Sequence, residues 1–186
     1  LFTGVGDDTL RLDCVKIMPD GGGSDGTAVM YEPFASDPNS YGHPTVDLDR
    51  IGEYVWFCHE RGWSVEAHCC GDRMQDIVAE AMAAAIQRAP EVRVRHRIHH
   101  GYLPTERALE LMAEHQIAAI TQPVFLWSQG ESMLFHLGEE RANRLMPART
   151  YKERGVPLAF SSDSAVADPN PWLGMYSAMT RVSLNG

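Results

Sequence analysis

Short apolar runs alternate along the chain with longer segments in which apolar residues recur every three or four positions. The short runs predict β-strands at 13–18, 63–68, 94–100, 117–122 and 157–163. The longer segments predict helices at 45–61, 72–89, 105–115, 139–146, 147–154 and 171–182. Because hairpin signals are few, this alternation predicts an α/β fold with parallel strands joined by right-handed crossovers.

Two long connections interrupt this alternation. Residues 19–44 are rich in Gly, Ser, Asp and Pro, and a loop of this length is uncommon without a function. We interpret it as a lid on the substrate side, with disorder as the alternative. Residues 123–138 form the second predicted connection, whose large side chains either line an apolar pocket or pack the loop down: Phe125, Trp127, Met133 and Phe135.

The spacing of the strands favours a barrel. A (β/α)8 TIM barrel of about 250 residues has roughly 31 residues in each unit. His68 and His100 are 32 positions apart, and His100 and Asp163 are 63 positions apart with one predicted strand between them. Lys16 precedes His68 by 52 positions, which is one unit plus the long loop. A doubly wound open sheet is the alternative, although the chain has no GxGxxG motif and no P-loop.

Composition narrows the class of protein. The 186 residues suffice for one domain with a sizeable core. A net charge of −9 gives a surface that repels nucleic acid and anionic membranes, so we expect neither as a partner. No apolar run approaches the roughly 20 residues that span a bilayer, and no signal peptide is evident. Four cysteines without CxxC spacing predict reduced thiols and a cytoplasmic protein. Because the sequence begins at Leu1, we expect a piece of a longer protein.

Residue types that bind metals stand near the C-terminal ends of the predicted strands. Three histidines fall within 95–101, too many for an ordinary core strand, because a buried neutral imidazole needs partners for both ring nitrogens. A polar edge strand is the simpler interpretation of that stretch alone. Lys16, His68 and Asp163 stand near the ends of other strands, and barrel enzymes build their sites at matching strand ends.

Each of these residues also has an ordinary explanation. A single strand-end histidine is more often structural than a ligand, and a single aspartate often caps the next helix. Lys16 alone fits a salt bridge, a Schiff-base lysine or a metal-bridging carbamate. Taken together, the residues favour a metal that activates water, with a carboxylate that takes the proton and passes it to the leaving group.

Four segments, in order, resemble the motifs of the amidohydrolase superfamily: 15–21 with Lys16 and Asp20-Gly21, 67–73 with AHCCGDR, 97–100 with RIHH, and 162–164 with SDS. The resemblance is strongest to amidohydrolase family 3, which includes N-substituted formamide deformylases. It implies a partial TIM barrel of the metal-dependent hydrolase type, about strands 4 to 8 only. It further implies that His68 and His100 are the metal ligands of strands 5 and 6, and that Asp163 is the strand-8 ligand and proton shuttle.

The same resemblance implies the cofactor. Lys16 would be the strand-4 lysine, free or carboxylated to bridge two metals, and the cofactor would be one or two divalent ions, with zinc the expected metal. The His-x-His pair of the family's first strand is absent. We therefore expect the domain, residues 1–186 with the long loop 19–44 inside it, to lack the early strands and the flanking β-sandwich. Its metal site is expected to be weakened or empty.

A second departure concerns the substrate. His99 stands where related sequences carry a glutamate before the ligand histidine, and an imidazole there changes a nearby hydrogen bond or charge. Arg97 is placed to touch a substrate carboxylate, although pairing with a surface Asp or Glu is the simpler expectation. His99 and Arg97 are our candidate substrate-binding residues.

Three functions remain open. The leading hypothesis is a metal-dependent hydrolase of C–N bonds in small amides, formamides or cyclic amides. The alternative is a catalytically incompetent fragment or a regulatory homologue of the same fold, which the missing His-x-His pair favours for this chain. The third is a Schiff-base aldolase that uses Lys16 without a metal. Because five strands leave two edges unpaired, we expect the chain to pair with other copies or to belong to a larger folded chain.

Overall fold

A computed structural model of the chain describes residues 1–185. Within these residues one sheet has five parallel strands, whose order in space, β1-β2-β3-β4-β5, is their order in sequence. The strands are Cys14–Ile17, Ser64–Cys69, Arg97–His100, Ala118–Thr121 and Leu158–Phe160. The predicted α/β fold, with successive parallel strands of a partial barrel, is confirmed.

Seven α-helices lie within the same residues: α1 Ile51–His59, α2 Asp72–Arg88, α3 Glu106–Glu114, α4 Val124–Leu137, α5 Glu139–Asn143, α6 Ala148–Glu153 and α7 Pro171–Thr180. Two of the starts are set by side-chain caps. The hydroxyl of Thr105 accepts a hydrogen bond from the Ala108 N–H at 3.0 Å, and Asn170 accepts one from the Trp172 N–H at 3.0 Å. These caps account for the correctly predicted starts of α3 and α7.

The prediction of a loop at 123–138 is wrong, because this segment forms α4. The helix follows Pro123, whose fixed φ suits a first turn, and ends at Gly138 with a φ of +78°. Apolar residues are distributed around most of the helix, so the one-sided pattern of a surface helix is faint in the sequence. Its buried side chains are Val124, Phe125, Leu126, Met133 and Leu137.

Residues 19–44 form a loop, as predicted, but the loop is packed rather than disordered. Ala28, Met30 and Phe34 are buried in an apolar cluster that includes residues of α4. The backbone also passes very close to Gly71, where an added Cβ would lie 1.9 Å from the carbonyl oxygen of Val29. The loop therefore covers the C-terminal end of β2.

The main core lies between the sheet and helices α1, α2 and α3. Val65, Ala67 and Cys69 of β2 point into it, so the alternating residues Glu66 and His68 point to the opposite face. That opposite face carries the polar residues described below. Among residues 1–185 no helix has the length and apolar character needed to cross a membrane.

Candidate metal centre

The histidines of β2 and β3 meet at the C-terminal end of the sheet. In the ladder between these strands, His68 pairs with His99 and Cys69 pairs with His100. Regular alternation would place His100 on the helix side with Cys69. His100 instead has a left-handed φ of +76°, and its ring centroid lies 4.3 Å from that of His68 and 4.4 Å from that of His99. A local change of backbone conformation thus brings three imidazoles together.

A chain of hydrogen bonds defines where these rings carry their protons. The amide nitrogen of Gln122 lies 2.9 Å from Nε2 of His99 and can only donate, so neutral His99 carries its proton on Nδ1. That proton is donated to Oε1 of Glu66 at 2.8 Å. Oε1 of Gln122 accepts from Nδ1 of His100 at 2.7 Å. The Nε2 of His100 therefore keeps a lone pair, and it has no hydrogen-bond partner among residues 1–185.

Both rings that the sequence predicts as ligands are held neutral. Only 4% of His100 is exposed, and burial, together with His68 and His99, lowers the pKa of His100 to about 2. Burial also lowers the pKa of His68. Nε2 of His68 lies 3.1 Å from the carbonyl oxygen of Gly21 and 3.4 Å from Sγ of Cys70. Neutral imidazole is the form that binds a metal.

Asp163 reaches the same region from the segment after β5. Its carboxylate, His99 and His100 offer ligand atoms that all lie within 4.8 Å of one another. Asp163 has a φ of +52°, so it shares with His100 a conformation that is uncommon for residues other than glycine. Such conformations cost on the order of 1–3 kcal/mol and cluster at functional sites. The structure thus brings together His68, His100 and Asp163, with His100 in the middle.

Lys16 lies on the same face, but its amine is engaged with Glu66. The two residues are partners in the ladder between β1 and β2, and Nζ lies 2.8 Å from Oε1. The hydrogen bond from His99, followed by the contact with Lys16, lowers the pKa of Glu66 to about 2 against the effect of burial. Glu66 is therefore an anion that Lys16 and His99 share.

The two candidate substrate-binding residues are also held by protein groups. Nη2 of Arg97 lies 2.6 Å from Oδ2 of Asp13, and its Nε lies 3.6 Å from Oε2 of Glu66. Both ring nitrogens of His99 are occupied, one by Glu66 and the other by Gln122. A contact of Arg97 or His99 with substrate stays a prediction.

The sequence analysis misses three residues that shape this centre: Glu66, Cys70 and Gln122. Glu66 and Cys70 stand two positions before and after His68, so reading 64–70 with the period of a strand would place all three on one face. Gln122 follows the last residue of β4, where polar side chains of a barrel converge. Burial, followed by the nearby Asp20, raises the pKa of the Cys70 thiol.

Asp20 attaches the long loop to the end of β2. Its carboxylate accepts hydrogen bonds from the backbone N–H groups of Val29 at 3.2 Å, Cys70 at 3.2 Å and Gly71 at 2.9 Å. Burial raises the pKa of Asp20 to about 7, although these three hydrogen bonds act to lower it. Oδ1 of Asp20 lies 3.8 Å from Nε2 of His68, so the loop contributes a carboxyl group to the surroundings of the imidazoles.

A cleft of about 390 Å³ lies beside β5. Val124, Phe160 and Pro171 give it apolar walls, and Ser161 and Ser162 lead from it to Asp163. Sites for small molecules have volumes of about 300–1,000 Å³. The cleft is thus large enough for a small ligand, and its lining ends at Ser162, the residue before Asp163.

Known proteins resemble this chain over nearly its whole length. The sequence pattern of the amidohydrolase family matches residues 1–186. The "Putative amidohydrolase YtcJ" of Bacillus subtilis (strain 168) is 29% identical over 175 residues, which are 94% of this chain and 32% of that protein. Protein LONG AFTER FAR-RED 3 of Arabidopsis thaliana is 26% identical over 174 residues, which are 93% of this chain and 30% of that protein. The chain spans about a third of the length of these curated relatives.

Two solved structures have the same fold. An uncharacterized metal-dependent hydrolase from Pyrococcus horikoshii OT3 superimposes with a TM-score of 0.83 at 22% sequence identity. The superposition includes 97% of this chain and 35% of the hydrolase chain. A second uncharacterized metal-dependent hydrolase, from Pyrococcus furiosus, superimposes with a TM-score of 0.77 at 26% sequence identity. Here the superposition includes 95% of this chain and 36% of the hydrolase chain. The sequence match over residues 1–186 and the shared barrel architecture show that this chain belongs to the amidohydrolase family.

Proposed function

We propose that the chain is part of a metal-dependent hydrolase that cleaves C–N bonds of small amides with an activated water molecule. The observation that carries this proposal is that Nε2 of His100 has no hydrogen-bond partner among residues 1–185. His100 also lies close to possible ligand atoms of His68 on one side and of Asp163 on the other. The neutral imidazole of His100 thus presents a free lone pair, which is the group through which histidine binds a metal. Membership of the amidohydrolase family supports a metal ion in that place.

The donor set fits a divalent ion, with zinc the preferred one. His100 belongs to two groups of close ligand atoms, one with His68 and one with Asp163, and imidazole and carboxylate are ligand types that zinc takes. The hydrogen bond from Nδ1 of His100 to Gln122 is the outer contact that orients metal-binding histidines, and it leaves Nε2 for the ion. When bound, such an ion polarises a carbonyl group and makes water a nucleophile near neutral pH.

Asp163 is proposed as the proton carrier. One oxygen of its carboxylate accepts a proton from the attacking water as the new C–O bond forms. The same oxygen then donates that proton to the departing nitrogen as the C–N bond breaks. The products are an amine and a carboxylic acid, and Asp163 returns to its ionised state. Its position beside His99 and His100, outside the apolar cores, supports this role.

Lys16 is proposed to act as an ammonium group and not as a bridging carbamate. Nζ of Lys16 lies 2.8 Å from Oε1 of Glu66, which is the geometry of a salt bridge between an ammonium group and a carboxylate. A carbamate needs the neutral amine and would set a second anion against Glu66. The same contact counts against a Schiff-base aldolase, which needs a desolvated neutral lysine. We therefore favour one metal ion over a lysine-bridged pair.

The proposed substrates are N-acyl and N-formyl compounds with a small apolar group. The resemblance to the formamide deformylase group supports the reacting bond. The cleft beside β5 supports the apolar group, because Val124, Phe160 and Pro171 line it. A small amide held there would have its carbonyl carbon near the segment that carries Asp163.

A catalytically incompetent fragment is the second candidate. The first-strand His-x-His pair is absent from the chain, and the chain spans about a third of its curated relatives. Two metal ligands of the family pattern therefore have no counterpart here. In that case the chain would keep the fold and bind metal weakly without turnover.

Metal content and turnover of the purified chain test the proposal. Metal-free protein is loaded with zinc, freed of excess ion and analysed for metal, and we expect about one ion per chain. Hydrolysis of N-acyl and N-formyl compounds is then compared between the wild type, Asp163→Asn and the control Asp49→Asn, whose side chain is exposed. Loss of a proton carrier should lower turnover by about 10²–10⁴-fold. Bound zinc without wild-type turnover would favour the second candidate, and failure to retain zinc would contradict the metal site.

A further inference from the structure

A cysteine lies beside the two histidines that the sequence predicts as ligands. Sγ of Cys70 lies 3.4 Å from Nε2 of His68, and His68, Cys70 and His100 offer ligand atoms that all lie within 4.8 Å of one another. Cys70 is 2% exposed and His100 is 4% exposed. Two imidazoles and a thiol, gathered in this way at the end of a sheet, form a site for a cation that accepts nitrogen and sulfur ligands.

The neighbouring cysteine does not share this position. Cys69 is the last residue of β2 and belongs to the main core between the sheet and the helices. Cys70 belongs to the other apolar cluster, under the long loop. Adjacent cysteines therefore face different parts of the molecule, as alternation along an extended chain requires. Only Cys70 is placed to reach the imidazoles.

A second observation, independent of the thiol, indicates a cation at this place. Nδ1 of His100 donates its proton to Gln122, so the unprotonated nitrogen is Nε2, which no group among residues 1–185 satisfies by a hydrogen bond. Three protein ligands with one open position are also the usual arrangement of a catalytic zinc ion. The trio of His68, Cys70 and His100 supplies that number without the missing His-x-His pair.

We propose that His68, Cys70 and His100 together hold one zinc ion, with Cys70 bound as a thiolate. This inference rests on the proposed metal-dependent function and adds a sulfur ligand that the resemblance to the family does not imply. As the metal–sulfur bond forms, the S–H bond of Cys70 breaks and its proton passes to solvent. Nε2 of His68 exchanges its contact with the Gly21 carbonyl for the metal, and the ring proton moves to Nδ1 through solvent.

Cobalt(II) is the first probe, because a thiolate ligand gives bound cobalt an intense near-ultraviolet charge-transfer band that imidazole and carboxylate ligands do not give. Metal-free wild type, Cys70→Ser and Cys69→Ser are each titrated with cobalt, and bound metal is measured separately by ultrafiltration. We expect the band in the wild type and in Cys69→Ser. In Cys70→Ser we expect no band and cobalt affinity at least about tenfold weaker.

The outcomes separate the two proposals. Wild-type protein that binds cobalt without the band, or a band that survives Cys70→Ser, would overturn the sulfur ligand and leave the proposed metal site standing. A band lost in Cys69→Ser would also overturn the assignment to Cys70. Wild-type protein that retains neither cobalt nor zinc would overturn the proposed metal site itself.

A measurement on zinc-loaded wild type avoids any effect of substitution on folding. Zinc X-ray absorption should show one sulfur at about 2.3 Å together with nitrogen or oxygen ligands at about 2.0–2.2 Å. A shell of nitrogen and oxygen alone would contradict the role of Cys70.

Discussion

Oε1 of Glu66 on β2 accepts a hydrogen bond from Nδ1 of His99 on β3 at a distance of 2.8 Å. By resemblance to the family, a glutamate is expected at the position of His99, directly before the ligand histidine. Here the neighbouring strand supplies the carboxylate, and His99 occupies the expected place of the glutamate. A carboxylate is thus retained next to position 99, although position 99 itself holds a histidine. Glu66 is also the outer end of the chain of hydrogen bonds that passes through Gln122 to His100.

Replacing Glu66 tests whether its negative charge, at the end of this chain of hydrogen bonds, increases the affinity of the site for a metal ion. In Glu66→Gln we expect zinc affinity to fall by about tenfold, since outer partners of metal ligands contribute about 10–100-fold and Glu66 lies at the far end of the chain. Affinity is measured by competition with a chelator. Glu80→Gln is the control, because Glu80 is exposed and its carboxylate forms a surface ion pair with Arg107 at 3.3 Å. Equal affinity of wild type and Glu66→Gln would show that the chain of hydrogen bonds does not reach the metal.

Gln122 is expected to matter more, because it contacts His100 directly. In Gln122→Met the Nδ1–H of His100 loses its acceptor, and we expect zinc affinity to fall by about 10–100-fold. Gln122→Glu keeps an acceptor for that N–H and should retain more of the affinity. Gln129→Met on α4 serves as control, and circular dichroism checks that each variant folds. Similar affinities for Gln122→Met and Gln129→Met would contradict the orienting role.

A second pair of histidines lies at the opposite end of the sheet. The N–H of Val65 donates to Nδ1 of His96 at 3.0 Å, so neutral His96 carries its proton on Nε2. That proton is donated to Nδ1 of His59 at 3.0 Å, and Nε2 of His59 then donates to the carbonyl oxygen of Ala89 at 3.1 Å. Both side chains are buried. The arrangement requires both rings to be neutral.

Stability should therefore decrease in mild acid. Burial, followed by the nearby His59, lowers the pKa of His96 from 6.5 to about 4. As the pH falls below 6.5, His96 takes up a proton in the unfolded chain but stays neutral in the folded one. The stability that comes from neutral His96 is therefore fully present above pH 6.5 and is lost as the pH falls through about 4. A difference of this size corresponds to about 3 kcal/mol in the free energy of unfolding.

Urea unfolding between about pH 7 and pH 4 measures this effect. We expect the pH dependence to be smaller in His96→Gln than in the wild type, because the group that gains a proton on unfolding is gone. His43→Gln, which changes an exposed histidine, should follow the wild-type curve. Parallel curves for wild type and His96→Gln would contradict the assignment.

The open edges of the sheet predict self-association of the isolated chain. Among residues 1–185, β1 and β5 each pair on one side only, and Phe160 on β5 is 47% exposed. We expect light scattering to show dimers or larger species that increase with concentration. Phe160→Lys should shift the distribution toward monomer, while Phe57→Lys, which changes an exposed residue of α1, should not. A monomer at all concentrations would contradict this expectation.

Local sequence was sufficient for most of the secondary structure. Strands appeared as short apolar runs, and helices such as α3 and α7 were bounded by capping residues. Helix α4 was missed because Val124, Phe125 and Leu126 put apolar groups on several sides of it. Its partner surface is the loop 19–44, which brings Met30 and Phe34 to it from about a hundred positions away in the chain. No local pattern reports such a contact.

The amino-acid sequence by itself determined the family, the order of the parallel strands and the strand ends at which Lys16, His68 and Asp163 stand. Only the tertiary structure decided which of these groups meet. Contact between side chains of different strands depends on register and on backbone conformation, and neither is encoded by residue type alone. The ladder pairs Lys16 with Glu66, and a single left-handed residue turns His100 from the helix side toward His68, Cys70 and Asp163.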